Sequence, residues 1–177
     1  MDIDLGLSQP SDLPQIYDIM EEAFPPAEAI RFKDLKRLYH NPKYKILAIK
    51  NQIGKLSGFL TLWNLIGFNF AEYFAIHKNL RGRGLGSAVL KQFLRRTKKP
   101  LVLEVEAFNT ETAKRRVKFY QSLGFKLNDI TYIQPPLREH DEQIPLTIMS
   151  YPSLIPQAKR QNVLAQIFSY GYQIALV

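Results

Sequence analysis

The sequence predicts a mixed α/β fold (α+β), with a mostly antiparallel central sheet, helices on both faces and a helical tail. Short runs that alternate apolar and polar residues indicate strands, and apolar residues at helical spacing between them indicate helices. Clusters of Gly, Pro and Asn separate the segments. With 177 residues, of which 46% are apolar and 23% charged, the chain can bury one core, so one domain with a small appendage is expected.

The first half of the chain predicts one strand, two helices and then three strands. Ile3–Leu7 alternates as a half-buried strand does. Ser11 can cap a helix that Pro25 ends, and a second amphipathic helix is expected over Glu28–Tyr39. Three strand-like runs joined by turn residues follow: Tyr44–Lys50, Lys55–Trp63 and Asn69–Ile76.

The second half predicts helices that alternate with strands, followed by a tail. The expected elements are a helix over Ser87–Thr97, a strand over Leu101–Glu106, a helix over Thr110–Leu123 capped by Asn109, strands over Phe125–Gln134 and Gln143–Ser150, and a helix over Gln157–Tyr170. Residues 1–150 are therefore expected to form one domain. Residues 151–177 are expected to form a helical extension, packed on that domain or at a contact between two copies in a homodimer.

The composition excludes several kinds of chemistry. The chain has no Cys and three His that lie far apart, which argues against disulfides, thiol nucleophiles and a resident metal. The acidic N-terminus, interrupted by Pro10, does not resemble a signal peptide, and no apolar stretch approaches the ~20 residues that span a bilayer. A cytoplasmic protein without membrane attachment is expected.

The positive charge of the chain is concentrated in one segment. The net charge is +8, yet the segment Lys78–Lys118 alone holds twelve basic and three acidic side chains. A basic excess can indicate binding of nucleic acid or of another anion. Because this segment contains a glycine-rich turn, an anionic ligand bound close to that turn is favoured.

The glycine-rich turn lies between a predicted strand and a predicted helix. Gly82, Gly84 and Gly86 alternate there, and glycine permits backbone angles that direct successive amides toward one point. The N-terminus of the following helix adds free amides, while Arg81 and Arg83 add charged donors. No Gly-Lys-Ser/Thr sequence is present, which excludes a P-loop, and Ser87 stands where a dinucleotide fingerprint requires its third glycine.

Two motifs resemble those of the GCN5-related N-acetyltransferase (GNAT) family. Arg81, Gly84 and Gly86 match its Gln/Arg-x-x-Gly-x-Gly/Ala coenzyme A signature. Downstream, Phe119-Tyr120-Gln121-Ser122-Leu123-Gly124-Phe125 is similar to its Phe-Tyr-x-x-x-Gly-Phe segment. The two motifs stand in the family's order on a helix–strand–helix pattern, and the resemblance extends over residues 1–150.

The resemblance implies acetyl-CoA as co-substrate, with no metal. In this family the pantetheine arm binds beside the strand that precedes the glycine turn, which assigns the main chain of Phe74 and Ile76 to that arm. The amides that would hold the pyrophosphate belong to Gly82, Arg83, Gly84, Leu85, Gly86 and Ser87. Arg81 and Arg83 would lie beside the phosphates.

The resemblance also implies catalytic roles. The family's usual acid is the Tyr of the Phe-Tyr pair, here Tyr120, which would protonate the leaving thiolate. Glu72 is the first candidate for the base, since it lies on the strand assigned to the acetyl group and is surrounded by aromatic residues that would raise its pKa by desolvation. Glu104 and Glu106, on the next strand, are alternatives.

The predicted function is acetyl-CoA-dependent transfer of an acetyl group to a primary amine of a small molecule or peptide. The family places acceptor specificity in segments that correspond here to Pro25–Tyr39 and Pro135–Ile144. One alternative is a domain that binds coenzyme A without turnover and serves as a sensor or interaction module. A basic nucleic-acid-binding module is disfavoured, because no aromatic stacking platform accompanies the charges.

Overall fold

The computed structural model describes residues 3–106, 110–136 and 144–173. Those residues form a mixed α/β fold with seven strands that pair mostly antiparallel, and with a C-terminal helical segment, which confirms the predicted fold class. The strands are β1 (Asp4–Leu7), β2 (Tyr44–Lys50), β3 (Leu56–Asn64), β4 (Asn69–Ile76), β5 (Leu101–Glu106), β6 (Lys126–Ile133) and β7 (Pro145–Tyr151). The α-helices are α1 (Leu13–Ala23), α2 (Phe32–Tyr39), α3 (Leu85–Arg96), α4 (Glu111–Ser122) and α5 (Arg160–Gln166).

The chain divides into two compact units. The first contains residues 1–64 and 71–97, and the second contains residues 65–70 and 98–177. This division does not test the expected domain over residues 1–150 with its extension over 151–177, which stays a prediction.

The first unit contains an antiparallel meander. β1 pairs with β2 through Leu5 and Ile49, and β2 pairs with β3 from Tyr44 and Trp63 onward. Helix α3 packs against these strands through an apolar cluster whose buried members are Leu5, Ile49, Ile76, Leu85 and Val89. Burial of these side chains fixes the end of β4 and the start of α3, and so fixes the turn between them.

In the second unit, β7 pairs antiparallel with both β5 and β6. Leu101 lies opposite Tyr151 on one side, and Lys126 lies opposite Ser150 on the other. Helix α4 buries Ala113, Val117 and Tyr120 along one face, as its apolar spacing requires. Gly124 follows α4 with a φ of 93°, the left-handed conformation expected for a glycine that ends a helix.

The C-terminal segment is held in the second unit by buried polar contacts. The Gln166 side chain accepts from the Ile66 amide (2.8 Å) and donates to the Ile66 carbonyl (3.2 Å). Buried Asn128 accepts from the Ile155 amide (2.8 Å) and donates to Ser150 Oγ (2.9 Å). Residues 160–166 form α5, and the helix continues through a π-helical turn, Ile167–Gly171.

Several element boundaries differ from the sequence prediction. Ser11, the expected cap of the first helix, lies within a 3₁₀ turn, Pro10–Asp12, and α1 begins at Leu13 with Asp12 as its N-cap residue. The C-terminal α-helix begins at Arg160 instead of Gln157, after another 3₁₀ turn.

Helix α2 begins at Phe32 rather than Glu28. Glu28 lies instead in a turn, where its own amide donates to the Pro25 carbonyl (2.9 Å). Helix α3 begins at Leu85, two residues before Ser87. Thr110 caps α4, since its hydroxyl accepts from the Ala113 amide (3.0 Å), and the predicted cap, Asn109, lies outside the described residues.

Candidate active site

The chain between β4 and α3 forms a turn with an open main chain. We call residues Arg81–Ser87 the glycine turn; it follows a short 3₁₀ segment, Lys78–Leu80. Gly82 and Gly84 have φ angles of 76° and 77°, in the left-handed region that side chains rarely adopt. A Cβ atom added at either glycine would meet nothing within 4 Å. A ligand can therefore approach this backbone closely.

The start of α3 leaves several amides without helical partners. The Ala88 amide donates to the Gly84 carbonyl (3.0 Å), and helix geometry leaves the amides of Leu85, Gly86 and Ser87 without a carbonyl in α3. The Leu85 side chain is buried in the apolar cluster, so this residue anchors the helix while its amide stays at the turn. Free amides at the positive end of a helix dipole fit an anionic group such as a pyrophosphate.

The Arg81 side chain links the glycine turn to the end of β4 and to α1. Its Nε donates to the Ile76 carbonyl (2.7 Å), and its guanidinium lies 3.5 Å from a carboxylate oxygen of Glu22. Arg83, two residues later, is exposed. The structure thus gives the side chain of Arg81 a contact with the end of β4. The place beside the phosphates, which the resemblance implies, stays a prediction.

Glu22 on α1 is a site residue that the sequence analysis missed. It accepts from the Lys78 amide (3.0 Å) and pairs with the Lys78 ammonium (3.2 Å) as well as with Arg81. Desolvation opposes ionisation of Glu22, but the hydrogen bonds and charge of Lys78 prevail and lower its pKa. Glu22 lies far from the motif in sequence and has no pattern of its own there, so only the fold reveals the contact.

The two β4 residues predicted to hold the pantetheine arm lie directly before the turn. Ile76 is buried and Phe74 half-buried, and both pack in the apolar cluster below α3. Neighbouring β3 approaches closely, since a Cβ added to Gly58 would lie 2.4 Å from the Ala75 carbonyl oxygen. Gly58 is therefore needed for this approach, and the main chain at the end of β4 has a defined position.

Glu72 is oriented by a buried tyrosine. The Tyr44 hydroxyl donates to Glu72 Oε2 (2.8 Å), and Tyr44 is only 2% exposed. Burial and the charge of Glu72 raise the pKa of Tyr44 well above its usual value, so this hydroxyl stays a hydrogen-bond donor. Trp63 packs against the Tyr44 ring with centroids 4.7 Å apart. The half-buried Glu72 carboxylate thus has a fixed partner on β2, which the sequence analysis did not predict.

Tyr120 lies on the buried face of α4. Its ring contacts Phe119 and Phe125, with centroids 5.2 and 5.4 Å away. Burial raises its pKa to about 12, although the charge of Arg116 acts in the opposite direction. The phenol is therefore protonated at neutral pH, as a general acid must be before it reacts.

Glu104 lies among aromatic side chains. Both of its carboxylate oxygens accept hydroxyl hydrogens, one from Tyr132 on β6 and one from Tyr172 (2.8 Å) after the C-terminal helix. Phe168 lies between these rings, with centroids 5.1 Å from Tyr132 and 5.7 Å from Tyr172. We call these four residues the Glu104 cluster. Burial raises the pKa of Glu104 from 4.5 to about 7, although both hydroxyl hydrogen bonds oppose the shift.

Glu106 has a different partner. Its carboxylate pairs with Arg116 on α4 at 2.9 Å. The three carboxylates proposed from sequence therefore differ in environment: Glu72 is bound by a buried phenol, Glu104 by two phenols and Glu106 by a guanidinium.

The predicted site residues are distributed over both units. The glycine turn, Phe74, Ile76 and Glu72 lie in the first unit, whereas Tyr120, Glu104 and Glu106 lie in the second. Their roles stay predictions. Within the described residues, no group of three or more His, Asp or Glu side chains is placed to hold a metal ion. Likewise, none of the described helices combines the length and the apolar character needed to cross a bilayer.

The fold, with a glycine turn between β4 and α3, agrees with the GNAT fold that the sequence resemblance implies. The chain belongs to the Acetyltransferase (GNAT) family, whose match extends over residues 13–125. That match includes both motifs and ends before β6, so the C-terminal segment lies outside it.

Relatives agree with this assignment. The solved structure of a candidate acetyltransferase of the GNAT family from Bacteroides thetaiotaomicron is similar to this chain. The two sequences are 28% identical, and the structures match with a TM-score of 0.88 over 97% of this chain and 99% of that one. The candidate acetyltransferase YjbC of Bacillus subtilis (strain 168) is 40% identical over 62 residues, which span 33% of this chain and 31% of that protein. The ribosomal-protein-S18-alanine N-acetyltransferase of Escherichia coli shares the fold, with 22% identity and a TM-score of 0.64 over 88% of this chain and 96% of that one.

Proposed function

We propose that this protein is an acetyl-CoA-dependent N-acetyltransferase that transfers an acetyl group directly to a primary amine of a small molecule or peptide. The observation that carries the proposal is the glycine turn, where an open, left-handed backbone meets the free amides of α3. Membership of the GNAT family supports acetyl transfer in general. The donor, the acceptor and the roles of individual residues are parts of the proposal.

Acetyl-CoA would bind through the main chain. The amides of Gly82–Ser87 would hold its pyrophosphate, and exposed Arg83 would add a charged donor. The main chain of Phe74 and Ile76 would hold the pantetheine arm and donate to the thioester carbonyl, which becomes more electrophilic when an amide polarises it. Arg81 would keep the turn in place through its bond to the Ile76 carbonyl.

The amine must lose a proton to become a nucleophile. Glu72 would take that proton, directly or through water, while the Tyr44 hydroxyl holds the carboxylate in one orientation. The amine nitrogen then forms a bond to the acetyl carbon, and the bond from that carbon to sulfur breaks. Glu104 remains the alternative base, since its pKa of about 7 lies close to physiological pH.

The sulfur leaves as a thiolate and needs a proton. Tyr120 would supply it, because burial keeps its hydroxyl protonated with a pKa of about 12. The products are an N-acetylated amine and free coenzyme A. An ammonium group loses two protons on the way to the amide, one before the nitrogen attacks and one as the amide forms. The proton that Tyr120 gives to sulfur accounts for one of them, and the other passes to solvent when Glu72 and Tyr120 return to their starting protonation states.

The acceptor remains open within the class of amines. Part of the acceptor-specificity segment predicted over Pro135–Ile144 lies outside the described residues. The cytoplasmic location, the lack of nucleic-acid binding and the homodimer also stay predictions.

Two measurements on the purified chain test the proposal. Calorimetric titration with acetyl-CoA should show saturable binding. A parallel titration with duplex DNA at rising salt should show no saturable binding. A panel of primary amines, including peptides with free N-termini, is then screened for release of free thiol from acetyl-CoA. Binding of acetyl-CoA without thiol release from any amine would favour the sensor function, and binding of DNA alone would contradict the proposal.

A further inference from the structure

The Glu104 cluster brings a carboxylate and three aromatic rings together from separate segments of the second unit. Glu104 comes from β5 and Tyr132 from β6, whereas Phe168 and Tyr172 come from the C-terminal segment. All four side chains are partly buried, and part of each remains exposed. Solvent therefore reaches part of each of the four residues.

The carboxylate in this cluster has no positive partner among the described residues. Its contacts there are the hydroxyls of Tyr132 and Tyr172, whereas Glu106, two residues along the same strand, pairs with Arg116 at 2.9 Å. Two phenols stabilise a carboxylate less than a guanidinium does, because they bring no opposite charge. A partly desolvated carboxylate in this position would gain from binding a cation.

The rings around Glu104 favour one kind of cation. Aromatic faces attract ammonium groups and pack well against the alkyl chain that carries them. A strongly hydrated metal ion would instead require several oxygen ligands, and this cluster supplies one carboxylate. The chemistry thus fits a primary alkylammonium group, with the charge at Glu104 and the alkyl chain against the rings.

The C-terminal segment that carries two of these rings is firmly attached. Gln166 makes two hydrogen bonds to the main chain of Ile66, and Ile167, next to Phe168, is fully buried. Tyr172 therefore reaches Glu104 from an ordered helix end. This segment lies beyond the part of the chain that matches the GNAT family.

We propose that the Glu104 cluster is the recognition site for the ammonium group of an alkylamine acceptor, and that the C-terminal segment completes it through Phe168 and Tyr172. The proposal rests on the proposed transfer to an amine and names the class of acceptor. Glu104 binds the charge, Tyr132 and Tyr172 hold the carboxylate in place, and Phe168 supports both rings.

Ring-labelled tyrosine NMR tests this site without turnover. The full-length chain is titrated with n-butylammonium, and with n-butanol as the uncharged match, while the resonances of Tyr132 and Tyr172 are followed. Butylammonium should cause saturable shifts of both resonances, and butanol should not. Glu104→Gln should weaken butylammonium binding roughly tenfold or more, as expected for loss of a charge-assisted contact.

Two tyrosine variants test whether the Tyr172 hydroxyl contributes to butylammonium binding, or whether any loss of a tyrosine hydroxyl in the C-terminal segment weakens it. Tyr172→Phe should weaken butylammonium binding several-fold, and Tyr170→Phe, the same change two residues away, should leave it unchanged. Equal responses to butanol and butylammonium, no saturable shift at all, or equal effects of the two variants would overturn the proposal. If Glu104→Gln does not fold, Glu104→Asp, which withdraws the charge by one methylene group, replaces it with the same expected direction.

Calorimetry with acetyl-CoA on the same samples distinguishes this proposal from the proposed function. Acetyl-CoA binding without an ammonium response overturns the acceptor site alone. An ammonium response without acetyl-CoA binding contradicts the proposed function and leaves the cation site established.

Discussion

The glycine turn and the Glu104 cluster present charge of opposite sign to a ligand, the turn through main-chain groups and the cluster through side chains. The turn offers positive character through main-chain amides and a helix end, and the sequence motif between two adjacent elements encodes it. The cluster offers a negative charge through side chains from β5, β6 and the C-terminal segment. A site made of backbone is local in sequence, whereas a site made of side chains depends on which distant segments the fold brings together.

The same contrast holds for the carboxylates near each region. Glu22, beside the turn, is compensated by Lys78 and Arg81, and the contacts with Lys78 lower its pKa. Glu104 has only phenols as described partners, and burial raises its pKa to about 7. A carboxylate with cationic partners serves the structure of the turn, while one without them is available to bind or to exchange a proton.

The largest expected effect tests whether the turn works through its backbone. Gly84→Glu forces a side chain into a φ of 77° and adds a negative charge beside the amides. Acetyl-CoA affinity should fall by at least about a hundredfold, as judged by calorimetry, because both the geometry and the charge oppose the ligand. Gly54→Glu is the matched control, since Gly54 has a φ of 75° and equally open surroundings in a hairpin turn. If both variants bind acetyl-CoA like the parent chain, the turn is not the binding site.

The next effect concerns proton transfer from the second unit. Tyr120→Phe removes the hydroxyl and keeps the ring contacts with Phe119 and Phe125. With an identified acceptor, kcat should fall about ten- to a hundredfold while acetyl-CoA affinity stays nearly constant. Tyr151→Phe removes a hydroxyl from a ring that also packs on Phe125 and should leave kcat unchanged. An unchanged kcat in Tyr120→Phe would show that Tyr120 is not the acid.

A smaller expected effect is the pH dependence of the free energy of unfolding, to which Glu104 and the carboxylates near the glycine turn contribute in opposite directions. Since the folded chain raises the pKa of Glu104 from 4.5 to about 7, it retains a proton that the unfolded chain releases between those values. The raised pKa therefore makes the folded state lose stability as pH rises through this window. Glu104→Gln should remove that slope, worth roughly 3 kcal/mol across the window at about 1.4 kcal/mol per pH unit.

Urea unfolding at several pH values, with Glu111→Gln as control, measures this slope. Glu111 has a side chain 79% exposed, so its change tests charge removal at the surface. Asp12 and Glu22, whose pKa values are lowered, contribute an opposite slope that is common to all variants and cancels in the difference. A parallel pH dependence for Glu104→Gln and the parent chain would contradict the environment assigned to Glu104.

Much of the fold could be predicted from local patterns. Alternation places every strand within a few residues of its observed bounds, and the helix predicted to end at Leu123 ends at Ser122. The glycine turn could be predicted as a candidate because three glycines, a strand and a helix lie within twenty residues of one another. The exact start of α2 could not, since a turn at Pro25 competes with helical spacing there.

The partners of the candidate residues could not be predicted in this way. Tyr44 and Glu72 meet through a contact between residues 28 positions apart, and Glu104 and Tyr172 are separated by 68 positions. Periodicity reports which face a side chain occupies, but it does not report which residue of another element lies opposite. That information depends on strand order and register, so the sequence ranks Glu72 before Glu104 and Glu106 as the candidate base but does not predict the partners of the three carboxylates.

The smallest predicted effect separates charge from position at the glycine turn. Glu22→Gln keeps an oxygen that can accept from the Lys78 amide, as Glu22 does at 3.0 Å, but removes the charge that neutralises Lys78 and Arg81. Acetyl-CoA should therefore bind about two- to threefold more tightly at low salt, and the gain should vanish at high salt because exposed charges are screened. Glu22→Ala removes the acceptor as well and should not show the gain. Glu21→Gln, an equal charge change at an exposed neighbouring position, controls for net charge. Weaker binding by Glu22→Gln at every salt concentration would mean that Glu22 acts by holding the turn through its charge, and that the turn depends on side chains as the Glu104 cluster does.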